Sequence, residues 1–99
     1  MERFGDEDIY QEILEVFVSD TPHLLDEIRN IDKESLPAYT VTVHGIKGSC
    51  RGISAEPLAK QAETLEKEAS SGNYEYVKTR NADFISGVEK LIGDLRNAM

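Results

Sequence analysis

Apolar residues along this chain recur at three- and four-residue spacing, the period of helices that hide one face. No stretch alternates in the manner of a half-buried strand, and neither an internal repeat nor a low-complexity linker interrupts the pattern. The first segment runs from about Asp6 to Ser19, with Ile9, Ile13, Leu14, Val16 and Phe17 as its apolar positions and Asp6, Glu7 and Asp8 near its N-terminus. Asp20-Thr21-Pro22 reads as a restart, with Thr21 as N-cap and Pro22 as first helical residue, followed by Leu24, Leu25, Ile28 and Ile31. One bent helix or two remain open at that point. Ser35-Leu36-Pro37 opens a third segment to about Ile53. A fourth starts at Ser54 as cap, carries Leu58, Ala62, Leu65 and Ala69, and stops at Gly72. Asn73 caps the last, whose stripe is Val77, Phe84, Val88, Leu91 and Leu95. One apolar face per helix and short connections predict an all-α fold, an antiparallel four-helix bundle with an additional short N-terminal helix.

Composition narrows the function classes. With 99 residues there is room for one domain and one core, so 1–99 is expected to be a single unit. Nineteen acidic against eleven basic residues leave a formal net charge of -8, which argues against nucleic acid and anionic membranes as partners. No apolar run approaches the roughly 20 residues of a membrane span, and the acidic N-terminus lacks the apolar core of a signal peptide. Cys50 is alone, so neither an intrachain disulfide nor a multi-cysteine metal site is available, and a reducing, cytoplasmic setting is expected. Met1 is also compatible with the start of a domain cut from a longer chain.

The third segment is the unusual one. At about 100° per residue, Tyr39, Val43, Ile46, Cys50 and Ile53 share a core face. Thr40, His44, Lys47 and Arg51 fall together on another arc, on the order of 100° or more away. The imidazole of His44 therefore lies at a surface or bundle edge with two cations at i+3 and i+7. Gly45, Gly48 and Gly52 surround it, and each glycine inside a helix costs roughly 0.5–1 kcal/mol relative to alanine. Clearance explains such a cost: without a side chain at Gly48, a group on His44 can be approached closely. Lys47 and Arg51 can offset a phosphoryl group of about two negative charges, and can keep the resting imidazole neutral and nucleophilic. Plainer explanations stand beside this one. A single helical histidine is usually a surface residue, the glycines can mark a loop, and a Lys and Arg at helical spacing usually form a solvated face.

The stretch Val43-His44-Gly45-Ile46-Lys47-Gly48-Ser49 resembles the signature of the histidine phosphotransfer (HPt) family, H-x-[apolar]-K-G-[small]. The likeness extends to Phe17…Thr21-Pro22…Leu25 and to the turn Ser54-Ala55-Glu56-Pro57-Leu58. It implies that His44 is the phospho-acceptor through Nε2, Lys47 the phosphate-facing cation, and Gly48 the gap that exposes the ring. It further implies a polar side chain from the next helix on Nδ1. Glu66 holds the matching position, with Glu63 one turn earlier as the weaker alternative. Arg51 is not a signature position; the helical wheel alone makes it a phosphate or partner contact. Two departures are visible: Ser54 stands where a glycine commonly ends the active-site helix, and Gly45 adds a glycine beside the histidine.

What the resemblance implies for function is a carrier rather than an enzyme. A receiver-domain phospho-aspartate meets His44 in line, with Mg²⁺ and a lysine supplied by the receiver, so no cofactor or metal is expected in this domain. The expected partners are response-regulator receivers and, as a further option, a histidine kinase, including one from whose hybrid chain this domain would be cut. The expected state is a monomer, with Val41, Ile53 and residues of the first helices as docking patch. Two other readings stay open: the substrate domain of a chemotaxis-type kinase, and a helical adaptor in which His44 is inert. His23, at a helix start without cation or glycine neighbours, reads as a surface residue. His23 and His44 lack the spacing of metal ligands.

Overall fold

A computed structural model of the chain describes the backbone of residues 2–98 and the side chains of residues 9–98. The elements among them are α1 (Glu2–Ile28), a 3₁₀ turn (Lys33–Ser35), α2 (Leu36–Gly52), α3 (Glu56–Ser70) and α4 (Tyr74–Ala98). The expected charges of Asp6, Glu7 and Asp8 concern side chains outside the described residues, as does the reading of Met1.

Contacts between helices run in opposite directions along each neighbouring pair. Glu27 meets Thr42 while Phe17 and Thr21 share a groove with Ser49 and Gly52, so α1 and α2 are antiparallel. His44 meets Glu66 and Arg51 meets Glu63, which sets α3 antiparallel to α2. Arg29 pairs with Glu89 while Pro22 and Arg96 line one groove, closing α4 against α1. The result is a four-helix bundle with each helix beside its sequence neighbours.

The interior is built from Leu25, Ile28, Val43, Ile46, Cys50, Ala62, Leu65, Val77, Phe84 and Val88, all buried. Inside it lies a polar clamp. The Tyr39 hydroxyl donates to Asn81 Oδ1 at 2.9 Å, and Asn81 Nδ2 donates to the Ile28 carbonyl at 2.7 Å. The end of α1, the start of α2 and the middle of α4 are thereby tied together. Burial raises the Tyr39 hydroxyl pKa, so it stays a donor.

Three sequence expectations change. No separate N-terminal helix forms, because α1 passes through Asp20-Thr21-Pro22 unbroken, and Thr21 is buried rather than a cap. The physical reason is phase: Phe17, Thr21, Leu25 and Ile28 form one buried stripe across Pro22, so packing offsets the hydrogen bond that proline removes. Ile9, Ile13 and Val16 are exposed, although their spacing resembles a core stripe. Pro22 lines the same groove as Arg96, near the last described residue of α4, so the part of α1 before Pro22 extends beyond the described part of its neighbour. The molecule is correspondingly long, 50 × 22 × 19 Å.

Ser54, expected to cap α3, instead closes α2. Its φ is 64°, its N–H donates to Arg51 O, and the Ala55 N–H reaches back to Cys50 O. This is the Schellman arrangement, and the same pair of bonds recurs at the end of α3 with Gly72 (φ 81°) in the left-handed position. Asn73 behaves as expected, its Oδ1 accepting from the Tyr76 N–H at the start of α4.

Candidate functional site

The site lies on the seam between α2 and α3. Tyr39, Val43, Ile46 and Cys50 turn inward and fix the rotation of α2, which leaves His44 outward with its side chain 64% exposed. On α3, burial of Ala59, Ala62, Leu65 and Ala69 brings Glu63 and Glu66 to the edge that faces α2.

Glu66 joins two of the three basic side chains. Its Oε2 is 2.8 Å from His44 Nδ1, and its Oε1 is 2.8 Å from Lys47 Nζ. The Lys47 partnership above all, then that of His44, holds the Glu66 carboxyl below its ordinary pKa against the opposing effect of burial. An ionised Glu66 can only accept, so the neutral form of the ring carries its proton on Nδ1 and its lone pair on Nε2. Nε2 has no hydrogen-bond partner among the described residues.

The expected residues are therefore gathered, with their partners redistributed. Lys47 is 16% exposed and engages Glu66. Arg51 Nη2 lies 3.5 Å from Glu63 Oε1, so Glu63 belongs to Arg51 and not to the imidazole. Two cations and two carboxylates leave the cluster formally neutral around the ring.

The glycines form a bare strip beside the histidine. A Cβ added at Gly45, Gly48 or Gly52 would meet nothing within 4 Å, and Val41 on the same strip is 72% exposed. Nothing among the described residues requires glycine there. Ile53, expected on the same surface, is buried and unavailable to a partner. Residues of the first helices were expected on this surface without being named; the structure places there a groove of about 410 Å³ on the far side of the strip, lined by Ile13, Val16, Phe17 and Leu24 of α1 with Ser49 and Gly52 of α2. The signal that could have named them was present: Ile9, Ile13 and Val16 sit upstream of the stretch that the described part of α4 can cover.

His23 is exposed on α1 and takes no part in the cluster. Cys50 is buried in the core, where desolvation pushes its thiol up to about 11 and makes it a packing residue. Among the described residues no helix is long and apolar enough to cross a membrane.

The comparisons fit this geometry. The family model described as Hpt domain matches residues 12–99. That span covers most of the chain, and the protein belongs to the Hpt domain family. Such domains are phosphocarrier modules of two-component phosphorelays, which interact with receiver domains and kinases. The comparison with curated proteins and that with solved structures each find no match.

Proposed function

We propose that this domain accepts a phosphoryl group on His44 Nε2 from the phospho-aspartate of a receiver domain and hands it to the aspartate of another. The observation that carries the reading is the Glu66 contact on Nδ1, which leaves an unengaged Nε2 on an exposed and glycine-flanked stretch of α2. The Nε2 lone pair attacks phosphorus as the bond to the aspartyl oxygen breaks, releasing the carboxylate. The ring then carries the phosphoryl on Nε2 and its original proton on Nδ1, where Glu66 offsets the positive charge. Donation to the next aspartate reverses these steps.

In this reading Lys47 keeps Glu66 in place, Gly48 gives access, and Arg51 stands at the site's edge. Mg²⁺ and the remaining charge stabilisation come from the receiver, so the domain is a carrier without a catalytic cycle of its own. The receiver settles on the bare strip and on the α1–α2 groove beside it, meeting Val41, Ile13 and Val16. The domain acts as a cytoplasmic monomer and as one unit.

The test is intact mass after incubation with a receiver charged by acetyl phosphate and Mg²⁺. An acid-labile gain of one phosphoryl in the wild type, absent in His44→Gln, supports the reading. No gain with a panel of receivers would turn the assignment toward a kinase-fed substrate domain or an inert adaptor. A gain that survives in His44→Gln would move the acceptor elsewhere.

A further inference from the structure

The three basic side chains at the site are held with unequal firmness. Lys47 is largely covered and makes a 2.8 Å contact to Glu66. Arg51 is 43% exposed, and its partner Glu63 is 54% exposed at 3.5 Å, beyond an ordinary N–H···O bond. Exposed ion pairs of that kind contribute little to stability and cost little to break.

Arg51 is also placed to reach the reacting nitrogen. It lies seven residues after His44, about 10.5 Å along the axis and only about 20° around it. Helical side chains lean toward the N-terminus, which carries a long guanidinium back along α2 toward His44. Gly48 lies between them, and a Cβ there would meet nothing within 4 Å, so no described side chain crowds that position between the two.

We propose that Arg51 is a movable cation, parked on Glu63 while His44 is unmodified and transferred to the phosphoryl group once His44 carries it. This rests on His44 being the acceptor. The driving difference is one of charge. Glu63 offers one negative charge, whereas a phosphoryl group offers about 1.5 to 2 together with three acceptor oxygens that suit the guanidinium fork. Lys47 cannot move as readily, because leaving Glu66 would also release the imidazole. Glu63, freed of its partner, turns to water. The consequence is that Arg51 sets how strongly the domain retains its phosphoryl group relative to the receiver.

The test separates retention from docking. In a His23→Gln background, where His44 alone reports, the full chain is loaded with phosphoramidate in the absence of any receiver. The pH titration of the phosphoryl ³¹P signal is then compared among the parent, Arg51→Gln, Arg51→Lys and Glu63→Gln. Arg51→Gln should move the phosphoryl ionisation to higher pH, Glu63→Gln should move it to lower pH, and Arg51→Lys should restore part of the parent value. With a charged receiver, the equilibrium ratio of phospho-domain to phospho-receiver should fall about two- to fivefold in Arg51→Gln. An unchanged titration in Arg51→Gln overturns the proposal, and a change confined to the transfer rate with a receiver makes Arg51 a docking residue instead. If the chemically loaded protein shows the shifts but no receiver exchanges with it, the failure belongs to the relay reading and not to Arg51.

Discussion

The two faces of α2 are under opposite demands. Its inward face, Tyr39, Val43, Ile46 and Cys50, is closed to solvent and held at the far end by the Tyr39–Asn81 clamp. Its outward face has given up side chains at Gly45, Gly48 and Gly52, and among the described residues no atom fills the space. A helix that lost those glycines would gain stability, since each one costs roughly 0.5–1 kcal/mol against alanine. The inward face explains why the bundle holds. The outward face makes sense only if something outside the chain approaches it.

Substitutions on the two faces should therefore separate activity from stability. The largest effect is expected at His44: His44→Gln abolishes phosphoryl uptake in the mass assay and leaves the thermal midpoint nearly unchanged, as surface replacements do. Ile46→Ala, two residues along but inward, should lower unfolding free energy by about 2–5 kcal/mol in a denaturant melt. Transfer per folded molecule should survive. Ser54→Gly relieves a left-handed residue at the end of α2 and should add about 1 kcal/mol by the same melt. Gly48→Ala should add about 0.5–1 kcal/mol while slowing transfer from a receiver, and a larger side chain there should slow it further. A Gly48→Ala protein that is both more stable and equally fast would break the contrast between the faces.

Glu66 gives the smallest and most specific effect. Its folded pKa is lowered, so its contribution is complete above the ordinary carboxylate value and is lost as pH falls through the lowered one. Acid titration of stability in Glu66→Gln should lack that loss, while near neutral pH the mutant should take up phosphoryl more slowly because Nδ1 is no longer matched to an anion.

Much of this was legible in the sequence, for reasons that are local. The period of Val43, Ile46 and Cys50 settles which way α2 turns, and that alone places His44, Lys47 and Arg51 on one outward arc. Gly72 and Asn73 mark the α3–α4 turn because left-handed backbone and side-chain capping are read from single residues. What was not legible depends on alignment between helices. Pro22 looks like a helix start until the stripe on either side of it is seen to be continuous. Ile13 and Val16 look like core until the register of α1 against its neighbours shows that the described residues leave them exposed. Glu66 on His44 was expected from the resemblance, but that Lys47 shares Glu66 and that Glu63 goes to Arg51 follows from the register of α3 against α2, which no spacing within either helix reveals.

The most direct test of the account is the state of the His44 ring nitrogens, read from a long-range ¹H–¹⁵N spectrum before and after phosphoryl loading. The account predicts a proton on Nδ1 in the resting protein and the phosphoryl group on Nε2 afterwards, with Nδ1 still protonated against Glu66. A resting proton on Nε2, or a phosphoryl group found on Nδ1, would contradict it.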